Sequence, residues 1–190
     1  RSVGLVPDAR GARLYGVEST RMKHMVTSGV LQDPNQLAAA LIHLGRSPSP
    51  INTYLEVGVW SAHTNVLISA YLKRVQQPGS EFHGYACDRW DKYVTSQTRT
   101  VLRGLNITFI LRTSDEYRQL LADKGRTVDG TPKVDLCFID ADHNYAGVRT
   151  DYEELASSCG TMMFHDVVDF DNLVRDGGGV PIFWGELVNS

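Results

Sequence analysis

Four polar residues that follow two apolar runs are the residues of this chain best suited to chemistry. Asp140 and His143 come after one run, and His165 and Asp166 come after the next. Carboxylate oxygens together with an imidazole nitrogen suit a divalent ion such as Mg²⁺ or Mn²⁺. We therefore predict a metal site of Asp140, His165 and Asp166, with a hydrogen-bonded polar cluster without metal as the alternative.

His143 lies beside that predicted site, three residues after Asp140. An imidazole at a cleft lined by a metal can act as a general base near neutral pH. We predict this role for His143, and the alternative is an ordinary surface side chain.

A second group of candidates lies earlier in the chain, where Glu56 and Gly58 end one apolar run and Asp88 ends another. A glycine at a strand end lets a ligand approach the backbone closely, and the free N–H groups of the next helix bind polar ligand atoms. A carboxylate after the second strand is well placed to accept hydrogen bonds from ribose hydroxyls. We predict that a nucleoside-type cofactor binds here. For Asp88, the alternative is that it caps the following helix. For Asp115, which follows the apolar run 107–111, helix capping is the favoured interpretation.

The elements that must position these residues alternate between strands and helices. We predict strands at about 53–57, 82–87, 107–111, 134–139 and 161–164, and helices at about 33–45, 62–74, 91–103, 114–125 and 145–157, with another containing Phe183 and Trp184. Near-continuous apolar strands separated by helices predict a doubly wound, Rossmann-like α/β fold, with a mostly parallel sheet covered by helices on both faces. Ligands bind beyond the carboxyl ends of such strands, where the fourth and fifth predicted strands would bring their polar residues together.

Composition limits the partners. The net charge is −3, with Lys and Arg scattered, which gives no case for nucleic-acid binding. No apolar run approaches the roughly 20 residues of a membrane helix, and no signal-peptide pattern is present. At 190 residues we expect one domain over 33–190, preceded by an arm or cover over 1–32.

The three cysteines, Cys87, Cys137 and Cys159, have no metal-type spacing. Because each lies in or next to an apolar run, we expect buried, reduced thiols. Reduced thiols are typical of a reducing compartment, and we expect a cytoplasmic location.

Together these motifs resemble class I S-adenosylmethionine-dependent methyltransferases, and most closely the branch of small-molecule, often metal-dependent, O-methyltransferases. The resemblance covers about residues 51–187 and rests on Leu55-Glu56-Val57-Gly58, Ala86-Cys87-Asp88, Ile139-Asp140-Ala141-Asp142-His143-Asn144-Tyr145, Phe164-His165-Asp166-Val167 and Gly179-Val180-Pro181-Ile182-Phe183-Trp184. It implies methylation of a hydroxyl on a small-molecule acceptor.

The resemblance also implies roles for individual residues. Those implied to contact S-adenosylmethionine are Glu56, Gly58 and Ser61 at the methionine part, Asp88 at the ribose, Ser114 and Asp115 near the adenine, and Asp140. Those implied to hold a divalent ion, Mg²⁺ or similar, are Asp140, His165 and Asp166, and His143 matches a general base of some sugar O-methyltransferases.

The sequence departs from the family in three ways. Its turn after the first strand has fewer glycines, and His165 stands where many metal-dependent relatives have a carboxylate. The family's two last strands are absent, so we expect the fifth strand to be an open sheet edge, a liability unless covered. We expect residues beyond 190, or another subunit in a homo-oligomer, to cover it.

Other functions are weighed against this one. The segment Asp140-Ala141-Asp142 also resembles the Asp-x-Asp motif of metal- and nucleotide-sugar-dependent glycosyltransferases, which does not account for Glu56 and Gly58. A dinucleotide oxidoreductase is a poorer match, because Gly-x-Gly-x-x-Gly is missing. A non-catalytic domain that keeps the fold for binding or assembly is the third alternative.

Overall fold

The computed structural model describes residues 6–7, 13–16, 32–47, 49–113, 115–122, 133–168 and 178–189. The strands are β1 (Val6–Pro7), β2 (Arg13–Gly16), β3 (Thr53–Val57), β4 (His83–Asp88), β5 (Ile107–Leu111), β6 (Val134–Ile139) and β7 (Cys159–Phe164). The helices are α1 (Pro34–Gly45), α2 (His63–Val75), α3 (Ser96–Gly104), α4 (Asp115–Ala122), α5 (Tyr145–Leu155) and α6 (Gly179–Asn189).

The strands form one sheet in the order β1-β2-β7-β6-β3-β4-β5. Every pair of neighbours is parallel except β1 and β2, which are antiparallel. The predicted Rossmann-like α/β fold is therefore confirmed.

The two faces of the sheet carry separate apolar cores, because successive side chains of a strand point to opposite faces. Leu55 and Val57 of β3 pack in one core, together with residues of α5 and α6. Tyr54 of the same strand packs in the other core, with residues of α1, α2 and α3. Helices on both faces hold the strands in place, so the loops at their carboxyl ends are left to form a site.

The prediction of an open edge at the fifth predicted strand is wrong. That strand is β7, and β2 pairs with it in parallel, with Leu14 opposite Met162 and Tyr15 opposite Met163. The edge is covered because an extended segment near the start of this chain satisfies its backbone groups. The division of the chain at residue 32 and the homo-oligomer stay predictions.

One predicted helix begins later than expected. The segment predicted as helical from about residue 91 is a loop as far as Thr95, and α3 starts at Ser96. Thr95 caps the helix, since its side chain accepts a hydrogen bond from the N–H of Thr98 at 3.1 Å. Residues 89–94 therefore belong to the loop after β4, at the carboxyl ends of the strands.

The prediction of three reduced thiols is wrong for two of them. Cys137 of β6 and Cys159 of β7 are joined by a disulfide, with their Cα atoms 6.0 Å apart. The two strands are neighbours in the sheet, which a separation of 22 residues could not reveal. Cys87 is free and buried, as expected.

The disulfide also bears on location. Disulfides persist mainly in oxidising compartments, so the cysteines give no support to a reducing one, and the cytoplasmic location stays a prediction. Over the described ranges, no helix is both long enough and apolar enough to span a bilayer.

Candidate functional site

A cleft of about 300 Å³ lies at the carboxyl ends of the central strands. Gly58 after β3, Asp88 at the end of β4 and Asp140 after β6 all line it. They meet because β3 lies between β4 and β6 in the sheet. The structure thus brings three of the residues singled out from the sequence to one cavity.

The turn after β3 fits closely against the neighbouring strand end. Gly58 has φ +92°, and a Cβ there would collide with the backbone carbonyl of Asp140. Its N–H donates to the carbonyl of Cys87 at 2.8 Å. Trp60 and Ala62 also have positive φ, 45° and 63°, which is strained for side chains with a Cβ and is typical of functional turns.

Asp88 connects the two loops that border the cleft. One carboxylate oxygen accepts the N–H of Trp60 at 2.7 Å, and the other accepts the N–H of Trp90 at 3.0 Å. Each oxygen of a carboxylate can accept more than one hydrogen bond. Asp88 therefore fixes both loops and can still accept from ligand hydroxyls.

An aromatic rim, formed by Trp60, Trp90 and Tyr93, borders the mouth of the cleft. Their side chains are 47%, 51% and 41% exposed, which is unusual for residues of this size. The rings of Trp60 and Tyr93 meet edge to face, with centroids 5.9 Å apart. The ammonium of Lys92 lies 4.9 Å from the ring centroid of Trp90 and 4.8 Å from that of Tyr93. Such a rim offers flat surfaces on which a planar ring can stack.

Arg112 lines the other side of the cleft, just after β5. It forms ion pairs with Asp151 and, at 3.2 Å, with Glu154, both on α5. Burial would lower the pKa of Arg112, but the negative charges around it, Asp151 first among them, together outweigh burial and raise it. Arg112 is therefore a permanent cation that anchors this wall of the cleft to α5.

Asp140 is the centre of a cluster with two histidines and a second carboxylate. Its Oδ1 lies 2.8 Å from Nδ1 of His165 and 3.5 Å from Nε2 of His143. Asp166 reaches both rings, at 3.2 Å from Nδ1 of His143 and 3.3 Å from Nδ1 of His165. Asp166 has φ 54°, a strained conformation that turns the chain at the end of β7.

Charge stabilises this cluster at neutral pH. Burial would lower the pKa of His165, but Asp140 and Asp166 together outweigh burial and raise it to about 10. Burial would likewise raise the pKa of Asp140, but His165 and His143 together outweigh burial and lower it to about 2. The hydrogen bond to Asp140 raises the pKa of His143. Without a metal, Asp140 and His165 therefore form a buried ion pair.

The donor set also fits a divalent ion. Asp140, His143 and His165 each offer one ligand atom, all within 4.8 Å of one another. His165 Nε2 is buried, and no described residue forms a hydrogen bond with it. Two imidazoles and a carboxylate suit Mn²⁺, Fe²⁺, Co²⁺ or Zn²⁺ better than Mg²⁺, which prefers oxygen. The set differs from the predicted one because His143 joins it and Asp166 instead contacts the two rings.

Glu56 and Ser61, two further predicted residues, are not among the described residues that line the cleft. Glu56 is 1% exposed and accepts the hydroxyl of Tyr54 at 2.6 Å. Burial raises the pKa of Glu56 to about 8, so it is neutral at pH 7. Ser61 is half-buried. Ser114 lies outside the described residues, as does the side chain of Asp115, which begins α4.

Sequence reasoning missed the aromatic rim and, with it, Gln32 and Arg112. Gln32 donates a hydrogen bond from Nε2 to Oδ2 of Asp140 at 2.8 Å, and a single glutamine in a weakly patterned segment carries no signal. Arg112 could have been found, because it directly follows a predicted strand at the ligand edge.

We expect the free energy of unfolding to fall as the pH rises from about 6.5 toward 10, by more than about 1 kcal/mol. His165 has a raised pKa of about 10 in the folded state, so its stabilisation is complete below its unfolded pKa and is lost as pH rises through the folded one. Asp140, with its lowered pKa of about 2, loses its contribution only as pH falls through that value. Urea denaturation in EDTA at pH 6 and pH 9.5 measures the change.

Glu56 shifts stability in the same direction, because its pKa is also raised. Glu56→Gln separates the two groups, since it removes the titrating carboxyl of Glu56, and the dependence on pH that remains is then that of His165. A wild-type protein equally stable at both pH values would contradict the ion pair.

A comparison with family models matches residues 55–167 to a family described as a methyltransferase domain. Among solved structures, the chain is similar to the O-methyltransferase TomG from Streptomyces achromogenes, involved in tomaymycin synthesis and solved in complex with SAM. The two share 17% identity with a TM-score of 0.53, over 81% of this chain and 67% of that one.

It is also similar to a precorrin-6y C5,15-methyltransferase from Geobacter metallireducens, with 16% identity and a TM-score of 0.48 over 88% of this chain and 75% of that one. At 17% identity the likeness to TomG shows the fold alone. No curated protein matches the chain.

Proposed function

The chain belongs to the methyltransferase domain family, and from this premise we propose that it methylates a hydroxyl of a small molecule with S-adenosylmethionine as donor. The observation that carries the proposal is that Gly58, Asp88 and Asp140 line one cleft at the carboxyl ends of β3, β4 and β6. A nucleoside with a charged tail needs three features side by side. They are a backbone that the ligand can approach closely, a carboxylate that accepts from hydroxyls, and a flat surface for the base, and Gly58, Asp88 and the aromatic rim supply them.

The contacts support an orientation for the donor. Asp88 accepts ribose hydroxyls while it holds the loops of Trp60 and Trp90. The aromatic rim stacks on the planar base. The methionine part passes Gly58, where the absence of a Cβ leaves the backbone accessible. Bound in this way, the donor would direct its methyl group toward Asp140 and the two histidines.

Methyl transfer is a substitution in line with the C–S bond. The acceptor oxygen forms a bond to the methyl carbon, the C–S bond breaks, and its electron pair stays on sulfur as a neutral thioether. His143 takes the proton of the hydroxyl, and its contact with Asp140 makes it a stronger base than free imidazole. A divalent ion held by Asp140, His143 and His165 would lower the pKa of the hydroxyl. A His143 bound to the metal could not also take the proton, so metal assistance and His143 as base are separable parts of the proposal.

Transfer of a labelled methyl group tests the function. The protein is incubated with S-adenosylmethionine labelled in the methyl carbon and a panel of phenols, sugars and aliphatic alcohols, with EDTA, Mg²⁺ or Mn²⁺. We expect label in at least one hydroxyl class, and more with Mn²⁺ than with EDTA. Binding of S-adenosylhomocysteine without transfer to any acceptor would favour the non-catalytic alternative, and no binding at all would contradict the proposal.

Asp88→Ala is expected to raise the dissociation constant of S-adenosylhomocysteine by about 10-fold to 100-fold. The substitution removes the acceptor for the ribose and releases the N–H groups of Trp60 and Trp90, and each lost bond to a charged group costs about 1.5–3 kcal/mol. Titration calorimetry measures the constant. Asp91→Ala, on the exposed side of the same loop, is the control, and an equal loss in both variants would refute the assigned role.

A further inference from the structure

Gln32 has a place in the site that the proposed function leaves unexplained. The residue is 1% exposed, so its amide atoms need partners inside the protein. Nε2 donates to Oδ2 of Asp140 at 2.8 Å, and Oε1 accepts from Oγ1 of Thr64 at 2.5 Å. The side chain therefore bridges the central carboxylate and the first turn of α2.

The chemistry of the partners fixes the direction of both hydrogen bonds. An ionised carboxylate only accepts, so Gln32 must turn its NH₂ group toward Asp140. Its carbonyl then faces Thr64, whose hydroxyl is the donor. The reversed amide would place two acceptors against each other, and this bridge therefore has one satisfied arrangement.

The bridge decides which oxygen Asp140 presents to the histidines. With Oδ2 bound by Gln32, Oδ1 faces His165 at 2.8 Å and His143 at 3.5 Å. The terminal torsion of an aspartate is soft, so the carboxylate can rotate once Oδ2 loses its partner. A misplacement of about 1 Å at a reacting group can cost about 100-fold in rate.

Thr64 connects this bridge to the turn that borders the cleft. It is the second residue of α2, the helix that follows the turn of Gly58, and it is 7% exposed. The chain of contacts therefore runs from the cofactor side of the cleft, through Gln32, to the reaction side.

We propose that Gln32 is a positioning residue. Thr64 of α2 holds the amide of Gln32, and Gln32 in turn keeps Oδ1 of Asp140 directed toward the two histidines. This inference rests on the proposed function, because the direction of the carboxylate matters for rate only if Asp140 serves a reaction. Gln32 itself touches no reacting atom, and its effect passes through Asp140.

Three variants test the role in turnover. Gln32→Met keeps the side-chain length and loses both hydrogen bonds, Thr64→Val loses the hydroxyl at nearly constant shape, and Thr64→Ser keeps it. We measure kcat and KM with the acceptor that the labelled-methyl assay selects, and Kd for S-adenosylhomocysteine by calorimetry.

We expect Gln32→Met to lower kcat about 10-fold to 100-fold and Thr64→Val about threefold to tenfold, with Kd for S-adenosylhomocysteine within about threefold of wild type. Thr64→Ser should restore wild-type kcat. Wild-type kcat in Gln32→Met, or an equal loss in Thr64→Ser and Thr64→Val, would overturn the proposal. The Thr64 pair decides it if Gln32→Met does not fold.

Melting temperatures test the bridge without any acceptor. Gln32→Met should lower Tm in the wild-type background and leave it unchanged or raise it in Asp140→Ala, where the NH₂ group has lost its acceptor. An equal loss in both backgrounds would show that Gln32 does not act through Asp140. The proposed function fails separately if the wild-type protein binds no S-adenosylhomocysteine. In that case the melting temperatures still show whether Gln32 and Asp140 are coupled.

Discussion

Replacing Asp140 with asparagine is expected to lower methyl-transfer turnover by about 10³-fold or more, while the Kd for S-adenosylhomocysteine changes less than about tenfold. The amide keeps the volume and still accepts from Gln32. The substitution removes the negative charge of Asp140, which pairs with His165 at 2.8 Å and makes His143 a stronger base. The amide of asparagine is also a poorer metal ligand than a carboxylate. Steady-state kinetics with the labelled donor and calorimetry measure the two effects separately.

Glu153→Gln is the control for this prediction. It removes a carboxylate from an exposed ion pair with Arg149 on α5, away from the cleft, and should keep both turnover and binding. Retained turnover in Asp140→Asn, or a loss of cofactor affinity as large as the loss of turnover, would contradict the separate roles of Asp88 and Asp140.

Gly58→Ala is expected to weaken S-adenosylhomocysteine binding by more than about 100-fold and to lower the melting temperature. Two physical effects add. A residue with a Cβ is strained at φ +92°, and the new methyl group would collide with the carbonyl of Asp140, so the turn after β3 and the end of β6 must separate. The wall of the cleft shared by Gly58 and Asp140 would then change shape.

Gly79→Ala is the matched control, because Gly79 has φ +87° and nothing lies within 4 Å of an added Cβ. It carries the same backbone strain without the collision. Calorimetry and thermal melting on both variants isolate the contact with Asp140. If Gly58→Ala binds S-adenosylhomocysteine as tightly as Gly79→Ala does, the close approach at this turn has no part in cofactor binding.

The sequence was sufficient to predict the layout of the candidate site because that layout follows from topology. Five apolar runs separated by helices can form few sheets, and in a parallel sheet their carboxyl ends share one edge. Asp88 and Asp140 could therefore be assigned to one edge before their side-chain contacts were known. The exposed Trp60 and Trp90 follow two of those same ends.

What the sequence could not show depends on contacts between distant residues. The four residues of β2, Arg13–Gly16, are too few to show the alternation of apolar and polar side chains that indicates a strand. The pairing of β2 with β7 could therefore not be predicted from the sequence. A sequence shows two cysteines in apolar runs in the same way whether they form a disulfide or remain free thiols, so the bond between Cys137 and Cys159 could not be predicted. Gln32 gains its meaning only from Asp140, 108 residues away.

A crystal structure of this chain with S-adenosylhomocysteine and Mn²⁺ shows directly where the donor and the ion bind. The ribose hydroxyls are expected at the carboxylate of Asp88 and the thioether sulfur between Gly58 and Asp140, with any bound ion on Asp140 and the two histidines. A nucleoside bound elsewhere, or a cleft that stays empty at saturating ligand, would contradict the proposed function.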